Sequence, residues 1–325
     1  MEWLKNTDPE RSEMVERALN VGNVGSVLLQ TEINKVVQQL TLCELGAQAL
    51  LERKPGSGDA VYINRRTAGV AGGVWVADTA TATEESGSYA QVSFGYKTLL
   101  SKVKVTRKAA AQAASYGDAL AIELQGKVED FAANLEDALF NGDSAVTAAQ
   151  IDGMFKLIGA VSGQVVANSS AAAGDDLTLA KLDEAIDAVK GAGNRNDLLI
   201  FGSFAGIRKV NAALQAQQAF NDMVEVDGGF RVRSYDGIPL ITSTGINDDM
   251  EWSGSAIAAT SGESTNPTTA LVIVNKRHIY MSELNAMTVM PVAQSTSQFS
   301  EVELYNDLAL VYANTLGGAI LGGLS

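Results

Sequence analysis

Residues 120–143 read LAIELQGKVEDFAANLEDALFNGD. Leu120, Leu124, Val128, Phe131, Leu135 and Leu139 recur at intervals of four, four, three, four and four. That spacing stacks side chains on one face of an α-helix. Glu123, Lys127, Asp130 and Asp137 fall on other faces. A single apolar stripe of this length predicts a long amphipathic helix with one buried side. Asn141-Gly142-Asp143 supplies the residues that favour a helix stop. The helix is placed at about 115–141, with Leu124, Val128, Phe131 and Leu135 as its core.

Upstream of the helix, Val61, Ile63 and Arg65 alternate with Tyr62, Asn64 and Arg66, the period of a strand. Val92, Phe94, Tyr96, Val103 and Val105 form a long return strand. Between them, residues 67–83 are rich in Gly, Ala, Val and Thr, and Asp78 is their one charge. Two strands with so long a low-charge tip make an extended hairpin, which is marginal alone in water and needs a surface to lie against. Trp75, between Val74 and Val76, would be exposed on an isolated subunit. Further upstream, Asp8-Pro9-Glu10 carries a helix-start signal, and Ile33, Val36, Val37 and Leu40 have helical spacing. Residues 42–54 read as a strand ending at Pro55-Gly56-Ser57-Gly58.

Downstream the texture is mixed. Leu179, Leu182, Ile186 and Val189 mark a helix that stops at Gly191. Residues 198–201 form a short buried strand, and Ser203 caps a helix carrying Ile207, Val210 and Leu214. Residues 231–235 and 239–242 make a hairpin about Asp236-Gly237. Residues 271–274 and 278–281 are further strands, and residues 289–307 read as long strands with a turn near 295–297. Residues 253–269 read as a surface loop. The fold class is α+β.

Composition narrows the function. The 325 residues are 46% apolar, enough for a large core, but only 19% charged, below the usual quarter or so. Little charged surface suits a molecule covered by partners. With 24 basic against 38 acidic residues the net charge is −14, which would repel nucleic acid and argues against direct binding. One cysteine, Cys43, excludes an intramolecular disulfide and a Cys-rich zinc site. One histidine, His278, would have to carry any Ser–His–Asp or Cys–His chemistry, and it reads as a structural residue at a strand start. Cys43, beside Leu42 and Leu45, reads as a small buried hydrophobe.

Residues 191–196, GAGNRN, lack the third glycine of a dinucleotide loop and follow a helix instead of opening one. Asp248-Asp249 with Glu251, and Asp175-Asp176, lack calcium-loop spacing and read as solvated turns. No catalytic residue, cofactor or metal site is assigned, and an enzyme is not expected. A hydrolytic α+β enzyme is the alternative from another class; it would run as a stable monomer on gel filtration. The opening MEWLKNTDPER has no apolar signal-peptide run. The longest uncharged apolar stretch, residues 308–324, contains Tyr312, Asn314, Thr315 and several glycines, and reads as a buried C-terminal element instead of a membrane span.

The order of elements, together with residues 137–143 (DALFNGD), 151–154 (IDGM), 235–240 (YDGIPL) and 299–310 (FSEVELYNDLAL), resembles the major capsid proteins of tailed bacteriophages. Their fold is named after phage Hong Kong 97. The resemblance implies an N-terminal arm at 1–40 and an extended loop at 56–104. It implies a peripheral domain from 41–55, 105–151 and 284–311, built on the spine helix at 115–141. An axial domain would comprise 152–283 and 312–325.

It implies a shell of hexamers and pentamers, an icosahedral head enclosing double-stranded DNA without specific binding. Assembly would take place in the host cytoplasm. Partners would be further copies of the chain, a portal and, in the members that use them, separate scaffolding and decoration proteins, with no membrane. An acidic, non-adhesive wall suits packed DNA. An encapsulin-type shell around a cargo enzyme is the alternative within the fold. The candidate interface residues are Arg65, Arg66, Trp75, Glu84 and Glu85, with the two arginines suited to pairing with a neighbour's carboxylates.

Overall fold

Strands of β-branched or alternating sequence and one long helix set the architecture of the chain, seen in a computed structural model. It describes residues 45–68, 75, 78, 86–113, 118–189, 195–216, 222–226, 230–258, 267–292 and 298–325. Helix α1 (Gly46–Leu50) leads into β1 (Arg53–Pro55). Strands β2 (Ala60–Ala68) and β3 (Ser88–Gly95) form a ribbon, followed by β4 (Lys97–Thr106), α2 (Arg107–Ala113) and the spine helix α3 (Ala119–Asn141). Then come α4 (Met154–Gly159), β5 (Val165–Ala167), α5 (Leu179–Ala188), β6 (Leu198–Gly202) and α6 (Phe204–Ala216). The chain continues through β7 (Asp222–Val226), β8 (Phe230–Tyr235), β9 (Ile238–Thr242), β10 (Glu251–Trp252) and β11 (Ile257–Ala258). It closes with β12 (Thr269–Asn275), β13 (Ile279–Pro291), β14 (Phe299–Tyr312) and β15 (Gly318–Leu324).

A seven-stranded sheet has the order β5-β15-β12-β6-β9-β8-β7, and a four-stranded sheet the order β1-β13-β14-β4. Strands β6, β12 and β15 are buried along their whole length, so they read as apolar runs without a polar face. Their alternate side chains feed two cores. Ile200, Leu271, Ile273, Ala319 and Leu321 face α5 and α6, where Leu182, Ile186, Val210 and Leu214 close over them. Leu199, Phe201, Val272, Val274 and Ile320 face the other way, against Leu139 and Phe140 of the spine helix and Phe155 of α4. That second core runs on through Met281, Leu308, Leu310 and Tyr312 into the four-stranded sheet. Residues 308–324, the longest apolar run, are thus the end of β14, a turn and the buried β15.

Several sequence expectations change. Residues 42–54 are not one strand: Gly46–Leu50 is a helix and the strand is only Arg53–Pro55. The return strand breaks at Tyr96. Its first half pairs with β2 while its second half pairs with β14, so the two halves belong to different sheets. Residues 253–269 are more than a loop: β11 pairs with β10, and Thr268 and Thr269 are buried beside the Met250 bridge.

The stop at Gly142 also has another cause. Its φ of −56° needs no left-handed backbone. A Cβ there would collide with the Ile151 and Ala138 carbonyls, so close backbone approach selects the glycine. Ser203 caps α6 as expected, accepting from the Gly206 N–H over 3.0 Å. The arm at 1–40, Cys43, the helix stop at Gly191, Glu84 and Glu85 lie outside the described residues.

Candidate subunit-contact surface

The ribbon is two-faced because strand side chains alternate. In its register Val61 opposes Phe94 and Ile63 opposes Val92, and these residues with Arg65 are half-buried on the inner face. Tyr62, Asn64 and Arg66 alternate with them on the outer face, with Tyr89 directly opposite Arg66. Tyr62 is 54% exposed, Tyr89 71% and Trp75 fully exposed. Tyrosine, tryptophan and arginine are the side chains that carry binding energy at protein interfaces, since each joins a large apolar area to a polar handle.

The ribbon is rooted on β13. The Gly56 N–H donates to the Glu283 carbonyl over 2.7 Å, and the Tyr96 and Ser282 hydroxyls lie 3.0 Å apart. A side chain on Gly56 would run into the Tyr96 ring. Arg53 pairs with Glu283 at 2.8 Å, and the Lys54 ammonium lies 3.9 Å over the Tyr280 ring.

Above the root, Arg65 turns back onto its own subunit. Its Nε donates to the Ala313 carbonyl over 3.0 Å and its Nη2 to the Tyr312 carbonyl. Burial draws the guanidinium below its ordinary pKa, an effect that Tyr312 opposes, and burial pushes the Tyr312 phenol up to about 12. A cleft of about 520 Å³ separates the inner face, with Val92 and Phe94, from Lys156, Leu157, Ala160 and Val161. The ribbon is held to its own subunit by Arg65 and by Phe94, which packs against the main core, with the cleft beside them. Arg66 and Trp75 remain directed to solvent.

The spine helix packs against β4 and β14 of the four-stranded sheet. Phe131 and Leu135 are buried, while Leu124 and Val128 are only half-buried. Glu136 is fully buried. Its carboxylate accepts from the Ala47 and Gln48 N–H groups at 2.8 and 3.1 Å and from the Ser243 hydroxyl at 2.6 Å. Past the helix end, the Lys156 ammonium donates to Asp143 and Asp152, each at 2.6 Å, and to Ser144 at 3.0 Å. The Lys156 hydrogen bond draws Asp143 below its ordinary pKa. At Asp152 burial acts in the opposite direction, but bonds from Lys156 and Ser144 outweigh it. Among the described residues, no group of three or more His, Cys, Asp or Glu could hold a metal ion, and no helix is long and apolar enough to cross a membrane.

A family model described as SU10 major capsid protein matches residues 67–325, from the ribbon to the C-terminal strand. The chain belongs to the SU10 major capsid protein family. It is a structural protein of the phage capsid and a component of the virion. Solved structures that share its fold include the following three. The cyanophage A-1(L) capsid asymmetric unit matches with a TM-score of 0.72 and 12% identity, over 94% of this chain and 99% of that one. The capsid of a native GTA particle matches with a TM-score of 0.65 and 13% identity, over 95% and 100%. The encapsulin of the holo-SrpI complex from Synechococcus elongatus matches with a TM-score of 0.65 and 14% identity, over 95% and 96%. The Hong Kong 97-type fold expected from the sequence is thus the fold of this major capsid protein. No curated protein matches the sequence.

Sequence reasoning did not find Glu136 or the Arg65 contact. A signal for Glu136 exists: it lies between Leu135 and Leu139 on the flank of the apolar stripe, where an acid has to be buried or bent away. Arg65 carries no such signal, because its acceptors are backbone carbonyls about 250 residues away, and carbonyls have no residue signature.

Proposed function

We propose that this capsid protein forms the hexamers and pentamers of an icosahedral head enclosing double-stranded DNA, and that each copy lays its ribbon over a neighbour. The observation that carries this reading is the full exposure of Trp75 beyond a ribbon whose outer face presents Tyr62, Arg66 and Tyr89. Residues 56–104 are the loop that reaches the neighbour. Residues 41–55, 105–151 and 284–311 form the peripheral domain, and residues 152–283 with 312–325 form the axial domain near the local five- and six-fold axes. Arg66, Glu84 and Glu85 pair across the subunit boundary. Arg65 is largely occupied within its own subunit and contributes less there. Assembly takes place in the host cytoplasm with a portal. Net charge of −14 keeps the wall from gripping the packaged DNA.

The test is Trp75→Ser. The subunit keeps its circular dichroism spectrum while particles become rare or fragile by gel filtration and electron microscopy. Heat-stable particles at normal yield would sink the reading.

A further inference from the structure

Arg65 is a half-buried cation whose partners among the described residues carry no negative charge. Its guanidinium donates to the Ala313 and Tyr312 carbonyls and lies 5.9 Å from the Phe94 ring centre and 5.8 Å from that of Tyr312. A cation drawn partly out of water without a counter-ion is held at a cost, and the burial that lowers its pKa is the sign of it. Arg65 lines the cleft of about 520 Å³ between the ribbon and α4. The second cation there, Lys156, is paired with Asp143 and Asp152.

The apolar wall of the cleft is an uncovered rim of the main core. Phe94, Leu157 and Val161 pack against that core and remain only partly buried. Besides the cations, the hydroxyls of Ser162, Thr315 and Tyr312 are the polar side-chain groups of the lining, and that of Tyr312 already donates to the Thr315 carbonyl. A mostly apolar cleft of this size with a few polar groups has the makings of a small-molecule site. We infer that it binds a small amphipathic carboxylate, with the anionic head on Arg65 and the hydrocarbon body along Phe94, Leu157 and Val161.

The head supplies the counter-ion that Arg65 lacks, and a planar guanidinium suits a carboxylate. The body covers the rim of the core. A peptide fits less well, because each of its residues brings a backbone donor and acceptor to be satisfied against a wall with few polar side chains. The site lies within one subunit, so the inference does not depend on where the ribbon lands in the shell. A ligand that touches both walls ties the ribbon to α4.

Sodium octanoate, titrated calorimetrically into the unassembled subunit, is the probe. One saturable site is expected, and with it filled the amides of β2 and β3 are expected to exchange about fivefold more slowly. Octanol keeps the chain without the charge and acetate the charge without the chain; each is expected to bind more weakly by about tenfold or more. Two variants are expected to weaken octanoate by about tenfold with unchanged circular dichroism: Arg65→Gln, which removes the cation, and Ala160→Asp, which places a fixed carboxylate at an exposed point of the lining. Octanol binding as tightly as octanoate would show that there is no head site and overturn the inference. Octanoate binding that neither variant weakens, or no binding, would overturn it as well. So would tighter binding of the peptide acetyl-Leu-Asp-Phe-amide, which would assign the cleft to a protein segment.

Discussion

The Ala47 N–H donates to Glu136 Oε1 over 2.8 Å, joining residues 89 positions apart in sequence. With Gln48 and Ser243 on the same carboxylate, three separate segments meet at one buried side chain of the spine helix. Glu136→Ala strands these donors without water and is expected to cost about 3–5 kcal/mol. Glu136→Gln keeps one acceptor oxygen but turns an NH₂ group toward the donors, and costs less, about 1–3 kcal/mol. Denaturant unfolding of the unassembled subunit checks both values and their order.

The spine stripe divides into a structural half and an exposed half. Phe131 is 4% exposed within a packed core, so Phe131→Ala is expected to cost roughly 3–5 kcal/mol and to depress soluble expression. Leu124, half-buried on the same stripe, is expected to lose only about 1 kcal/mol on truncation to Ala. Wild-type expression and assembly of Phe131→Ala would show that the stripe does not hold the fold.

This division also marks what the sequence could reveal. The periodicity of residues 120–139 located the helix and its apolar face, because one-sided burial leaves a repeat. It did not reveal that Leu124 and Val128 are less covered than Phe131 and Leu135, since cover comes from elements distant in sequence. The buried strands were legible as apolar runs, and Asp236-Gly237 as a turn. Gly46–Leu50 was misread because a helix of five residues shows too little of a 3.6-residue period. The strand period of the ribbon was legible from alternation, but the Arg65 contact on Tyr312 and Ala313 was not. The family resemblance was carried by order and spacing along the whole chain, not by any single motif.

The Asp143–Lys156–Asp152 cluster makes stability pH-dependent at both extremes. Both aspartates titrate below their ordinary 3.8 in the folded chain, so the unfolded chain takes up protons first as pH falls. Their contribution is complete above that value and is lost as pH falls through the folded pKa values. Lys156 is raised above its ordinary 10.5 by Asp143 and then Asp152, so its contribution is complete below 10.5 and is lost as pH rises through its folded value. Lys156→Met is expected to flatten the acid-side slope of subunit stability measured by thermal melts between about pH 2 and pH 5. An unchanged slope would exclude this cluster as a source.

Arg65 controls the ribbon more than the fold. Arg65→Met removes donors to two carbonyls in a half-exposed place, where water can replace them, and is expected to cost about 1 kcal/mol. The loss falls on local opening, so amides of β2 and β3 in the unassembled subunit are expected to exchange roughly five-fold faster while those of β12 do not change. Arg65→Lys keeps the charge but not the fork and is expected to lie between the two. Equal exchange in all three proteins would show that the contact does not hold the ribbon.

The shell is expected to be locked without covalent bonds. An isopeptide cross-link from the ribbon needs a lysine amine within its reach, free and neutral enough to act as a nucleophile. Residues 55–96 contain no lysine, and their cations Arg65 and Arg66 do not deprotonate. Two lysines stand at the ribbon's base, and each is engaged inside its own subunit. Lys54 lies over Tyr280 and pairs with Glu52 at 3.2 Å, while Lys97 donates to the Ala148 carbonyl over 2.7 Å. Engaged there, they stand at the base of the ribbon and not at its tip. A disulfide mesh fails on stoichiometry, since linking each subunit to two neighbours needs two thiols and the chain has only Cys43. Particles boiled in denaturant are therefore expected to give one gel band near 34.1 kDa. A ladder of multimers that survives reductant would overturn this, and its loss in Lys54→Arg or Lys97→Arg would identify the amine responsible.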